Sequence, residues 1–203
     1  VGRSPKHRRA AIALAITRAF AFLLPAAPAW AQAATRSPVA TVTLSAYKPA
    51  RAAVTIVSGA SQSLAGALSP GATQSFGGPV SLETSWSVDP AVSGSLTLVA
   101  YFDAPAAALA NGAAAIPSRA VQGRVATGAP TVFSSFTEAP VGPGGDAVGS
   151  AGGTLRLFTE PIGATNAVAA RRDNLELRLD LTGIPSLPAG AYAGTLNIRA
   201  IVQ

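Results

Sequence analysis

After residue 33 the chain is dominated by short stretches in which hydrophobic and polar residues alternate. A period of two is the mark of a strand with one buried face, because successive side chains point to opposite sides. The clearest stretch is residues 174–181. Leu175, Leu177, Leu179 and Leu181 fall on one side, and Glu176, Arg178 and Asp180 on the other. A helix would scatter those leucines around its surface, so the pattern predicts a strand. Val80, Leu82, Thr84, Trp86 and Val88 repeat it, opposed by Ser81, Glu83, Ser85 and Ser87. Asp89-Pro90 and Ser93-Gly94 then turn the chain, and Leu96, Leu98, Ala100 and Phe102 follow on the next strand. These two segments are expected to form an antiparallel pair.

Weaker alternation predicts strands over residues 40–47, 52–58, 120–126, 131–137 and 154–159. A final strand is expected over 192–202, with Leu196, Ile198, Ala200 and Val202 on one face. One helical turn is expected, with Asp103 as cap, Pro105 at an early position, the alanine-rich run 106–110 as its body and Asn111-Gly112 as its stop. Residues 142–153 read as the longest flexible loop. Asp173-Asn174 reads as the turn that leads into the 174–181 strand, and the adjacent Arg171-Arg172 as a solvated turn. Sixteen prolines and twenty glycines, mostly outside the strands, supply many turns. The fold class expected is all-β: a single Ig-like antiparallel β-sandwich of about seven to nine strands.

The first 33 residues differ from the rest. Lys6, His7, Arg8 and Arg9 form a basic head, apolar runs follow at 10–17 and 19–24, and Ala29-Trp30-Ala31-Gln32-Ala33 offers small-X-small sites. That is the layout of a secretory signal peptide cut after Ala31 or Ala33. Arg18 interrupts the apolar run, and a spanning helix wants about 20 apolar residues without such a break. The organisation expected is thus a signal peptide over 1–33 and a β-sandwich domain over 34–203. The product would be exported to the periplasm, surface or exterior of a bacterium, with no membrane contact after cleavage.

Removing the leader changes the charge. The whole chain carries +6, but five of its fifteen cations lie in the leader and all nine acids lie beyond it. The remainder is near neutral, so the basic balance belongs to an export signal and no nucleic-acid partner is expected. Cysteine is absent. Packing and strand pairing must hold the domain together without disulfides, and thiolate metal sites are excluded.

Little chemistry remains. The one histidine is His7, in the leader, so the exported chain has no imidazole for nucleophilic catalysis or metal ligation. Lys48, the only lysine beyond the leader, sits between Tyr47 and Pro49 at a strand end. Paired carboxylates could support glycoside hydrolysis. Glu176 and Asp180 share a strand face, but Arg178 stands between them and would hold both ionised. Their row reads as a charged outer face that resists sticking. Asp146 is the single carboxylate of the 142–153 loop, too few for calcium. No cofactor or metal is expected. Trp86 and Phe102 lie on core-facing sides of their strands, and Tyr101 on the opposite face, free to touch a partner.

The ending Leu187-Pro188-Ala189-Gly190-Ala191-Tyr192-Ala193-Gly194-Thr195-Leu196 resembles the last strand of bacterial Ig-like surface modules. It is also similar to the C-terminal strand of archaic chaperone–usher pilins of the spore-coat-U type, with a Pro-Ala-Gly-X-Tyr lead-in and an alternating run to the end. The likeness covers about 16 of 203 residues, and the cysteines usual in those pilins are missing. It implies an Ig-like sandwich, and an incomplete one. Locally, Gly190 lets the chain turn, and Tyr192 lays its ring over the sandwich end with its hydroxyl reaching backbone.

The reading that follows is an exported, non-catalytic structural or interaction protein of the cell surface, in its sharper form fimbrial-subunit-like. The alternative is a secreted binding module for carbohydrate or peptide; a carboxylate-based hydrolase comes third. The expected partner is the protein itself or another surface protein, joined by strand addition. The donor would be residues 38–44, where Val42 and Leu44 share a face with Ala40. The interaction residues expected are Tyr101, Tyr192, Val42 and Leu44.

Overall fold

The computed structural model describes residues 49–64 and 66–203. Eleven strands run β1 (Arg51–Ser58), β2 (Thr73–Ser75), β3 (Val80–Ser87), β4 (Gly94–Tyr101), β5 (Leu109–Asn111), β6 (Ala114–Ile116), β7 (Val121–Val125), β8 (Ser134–Ser135), β9 (Thr154–Ile162), β10 (Val168–Asp180) and β11 (Asn197–Val202). Pairing is antiparallel throughout, and the protein is an all-β sandwich. One sheet has the order β1-β3-β10-β7-β8, with β2 also paired to β10; the other has the order β11-β4-β9; β5 and β6 form a separate hairpin.

The core lies between the two sheets. Leu175, Leu177, Leu179 and Leu181 are buried, as are Val80, Leu82, Trp86, Leu96, Leu98 and Phe102. The alternation in the sequence therefore marks the inward faces, and Trp86 and Phe102 are core residues. Phe102 meets Phe136 edge to face, with ring centroids 5.1 Å apart.

The expected pairing of β3 with β4 does not form. β3 lies between β1 and β10 in one sheet, and β4 between β11 and β9 in the other. The turn at residues 88–93 carries the chain across the sandwich instead of folding it into a hairpin. β9 and β10 make the same crossing in reverse, β9 pairing with β4 and β10 with β3. These four strands thus find their partners far along the chain. Local alternation specifies a face but not a neighbour.

Other boundaries move as well. The helical turn is a short 3₁₀ segment, Pro105–Ala107, that follows Ala104 and has no side-chain cap from Asp103. Residues 109–111 turn into β5, and Asn111-Gly112 begins a hairpin into β6 with Gly112 at φ 58°. The 131–137 strand shrinks to Ser134–Ser135, and the terminal strand starts at Asn197. Arg171, Arg172, Asp173 and Asn174 are not turn residues: all four lie within β10, paired to β3. β10 is also a central strand, so its charged outer row protects no edge. The 40–47 strand lies outside the described residues.

The loop at 142–153 is held rather than loose. Val141 and Val148 exchange backbone hydrogen bonds of 2.9 and 2.7 Å, and both are buried. Pro140, Val141 and Pro143 share a recess with Thr97 and Thr159, which shows that the loop lies over the outer face of the smaller sheet. Thr97 and Val99, on the side of β4 away from the core, are buried too, Thr97 beneath this loop.

Candidate functional site

The two flanks of the sandwich are built differently. On one, residues 129–138 lace the sheets together. Val125 and Phe136 bond across to Pro130 and Val121 on the β7 side, while Ala129 N–H donates to Leu157 O (3.0 Å) and Glu138 N–H to Thr154 O (2.9 Å) on β9. The Glu138 carboxylate also accepts the Arg156 N–H. On the other flank β1 and β11 are the terminal strands of their sheets. Among the described residues each has one strand partner, β3 and β4 respectively.

The open flank holds a groove of about 520 Å³, lined by the start of β1, the end of β11 and residues 145–148. Its core-facing side chains are short of cover. Ala52 and Val54 on β1, and Ile198, Ala200 and Val202 on β11, pack against the core yet are only partly buried, whereas Leu96 and Leu98 on the neighbouring β4 are fully buried. Arg51 and Arg199 are the only charges on these two strands, and neither strand contains the proline that commonly blocks an edge.

The carboxylates of Glu176 and Asp180 do not converge. Arg124 Nη2 reaches Glu176 Oε2 at 2.7 Å, so Glu176 pairs across to β7 and not with Arg178. Arg178 Nε donates to Gln122 Oε1 at 2.7 Å, and the Arg124 and Arg178 guanidinium groups both lie against the Phe133 ring, 4.6 and 4.2 Å from its centroid. Asp180 has its pKa held below the ordinary aspartate value, chiefly by the Thr182 backbone N–H it accepts at 3.0 Å. Among the described residues no three His, Cys, Asp or Glu side chains gather as a metal site.

Among the described residues one largely buried ionic cluster joins the sheets. Asp173 is 2% exposed. It accepts Arg171 Nη2 and Nε at 2.7 and 2.8 Å and the Thr127 hydroxyl at 2.8 Å. Arg171 Nη1 donates to Glu160 of β9 at 3.0 Å, and the guanidinium lies 4.0 Å over the Phe158 ring. The hydrogen bond to Asp173 is the main cause that raises the Arg171 pKa, against the pull of burial. Every acceptor has a donor, and the cluster reads as a polar plug at one end of the core. Alternation counted backward from Leu175 places Asp173 and Arg171 on the inward face, so the sequence carried the signal for it.

Tyr192 is partly buried against the core, and its hydroxyl donates to Pro188 O at 3.0 Å, the backbone contact expected of it. Gly190 has φ 149°, a conformation open to glycine. Beside this corner lies an apolar recess of about 350 Å³ lined by Leu68, Leu181, Ile184, Leu187 and Pro188 among others. It has no aromatic lining for sugar stacking. Tyr101 is partly exposed on β4, between Asn197 of β11 and Thr154 of β9. Val42 and Leu44 lie outside the described residues. No protein-family model matches this chain, and neither does any curated protein or solved structure.

Proposed function

We propose that this chain is an exported, non-catalytic structural or interaction protein of the bacterial cell surface, fimbrial-subunit-like in taking up an added strand at the open edge of β11. The observation that carries this reading is the contrast between the flanks: one is laced by residues 129–138, and the other leaves Ile198, Ala200 and Val202 only partly buried. An extended segment laid along β11 gains main-chain hydrogen bonds and places alternate side chains in the gap. Residues 38–44 have the required alternation, with Val42 and Leu44 as the filling side chains and a neighbouring copy as the receiver. The separate partners of Glu176 and Asp180, and the neutralisation of Glu160 and Asp173 by Arg171, support a non-catalytic role, and the 1–33 pattern supports export.

Deleting residues 34–44 from the exported chain tests this. A folded monomer that no longer self-associates is the expected result. Loss of folding would assign the segment to its own domain, and no change in folding or association would make it a tail. Amino-terminal sequencing of the secreted product should read from Gln32 or Ala34; retention of residues 1–31 would make the protein membrane-anchored.

A further inference from the structure

β1 is the terminal strand of the larger sheet, hydrogen-bonded to β3 on one side and, among the described residues, to no strand on the other; β11 of the smaller sheet comes near it without pairing. Natural sheet edges are commonly blunted by charge, proline or a bulge. β1 has Arg51 at its first position and a register shift between Ile56 and Ser58. Between them, Ala52-Ala53-Val54-Thr55-Ile56 carries neither charge nor proline. Ile56 and Val57 are 43% and 54% exposed, two of the few large hydrophobic side chains so open to solvent among the described residues.

This stretch is complementary to itself. In an antiparallel pair, directly opposed residues point to the same side of the sheet. Two copies related by a twofold axis at Val54 would oppose Ala52 to the partner's Ile56 and Ala53 to the partner's Thr55. Ala52, Val54 and Ile56 of both copies then make one inward apolar strip. A slip of one residue would set inward side chains against outward ones, and a slip of two would draw Arg51 or the bulge into the pair. The two Arg51 side chains would sit at opposite ends, roughly 20 Å apart at about 3.4 Å per residue.

We propose that β1 pairs with β1 of a second copy of this chain, antiparallel and centred on Val54, to extend the larger sheet across a twofold axis. The contact is small beside the ~1,200–2,000 Å² of stable complexes, so the dimer is weak and forms where copies are crowded. It uses a different edge from the strand addition proposed above, and either can fail alone.

The absence of cysteine makes disulfide trapping clean. Ala53 and Thr55 are both exposed, and opposed antiparallel residues have the Cα separation a disulfide needs. Ala53→Cys and Thr55→Cys chains are oxidised mildly, separately and mixed. The expected result is a covalent dimer formed several-fold more readily in the mixture than from either chain alone. Equal yields would signify random collision and overturn the proposal. A dimer trapped best by Thr55→Cys alone would overturn the register. No disulfide in any sample, with the wild-type chain sedimenting as a monomer at all concentrations, would overturn the second copy as partner. Thr55→Lys should abolish sedimentation as a dimer, and a dimer that survives it counts against β1.

Discussion

Arg171 of β10 reaches across the core to Glu160 of β9, Nη1 to Oε2 at 3.0 Å, the one ion pair among the described residues that joins the two sheets. The same guanidinium neutralises Asp173, whose side chain has no solvent exposure. Removing one partner of a buried pair leaves an uncompensated charge, at a cost of about 3–5 kcal/mol. Arg171→Ala should therefore lower the free energy of unfolding by about 3 kcal/mol in denaturant titration. Arg171→Met combined with Asp173→Leu should recover most of that loss, because an apolar replacement of a whole buried pair is often neutral. A double variant no more stable than Arg171→Ala would show that the plug is needed for more than charge balance.

Leu177 and Arg178 are adjacent on β10 and point to opposite faces. Leu177→Asp should unfold the domain, since a buried unpaired carboxylate costs more than about 4 kcal/mol. Arg178→Ser should cost only about 1 kcal/mol, the value of its contacts with Gln122 and the Phe133 ring. Thermal unfolding of the two variants checks the difference, and equal shifts would contradict the face assignment.

Thr84 is fully buried, and its hydroxyl oxygen has no hydrogen-bond partner. Its cross-strand neighbours are Val54 and Arg171. A buried polar atom without a partner costs about 1–3 kcal/mol. Thr84→Val keeps the shape and removes the hydroxyl, so it should raise stability by about 1 kcal/mol. Loss of stability in chemical denaturation would reveal a bond that the hydroxyl does make.

Asp180 has a lowered pKa in the folded protein, first through the Thr182 backbone N–H. A group of this kind binds its proton less readily when folded, so its contribution is present above the unfolded aspartate pKa. It fades as pH falls through the folded value. Asp180→Asn should accordingly be less stable than wild type at neutral pH, with the gap closing in strong acid. A gap that stays constant down to acid pH would assign the effect to something other than the ionised carboxylate.

The sequence alone determined which side of β3, β4 and β10 faces the core. The leucines of β10 and the Val80–Trp86 row face the core because a strand has a period of two and only one face of each is apolar; the leucines of β4 do so too, but its other side is also buried, at Thr97 and Val99, which alternation does not show. It also determined that no disulfide contributes, and that Tyr192 would return its hydroxyl to the backbone, a contact made within four residues. Tertiary structure decided the partners. β3 joins β10 and not the nearby β4, since pairing depends on which distant strand completes the core. Arg171 and Asp173 looked like a turn because two charges rarely enter a core. They do so here only because Glu160, Thr127 and Phe158, brought from other parts of the chain, supply the bonds and the ring face that make their burial tolerable.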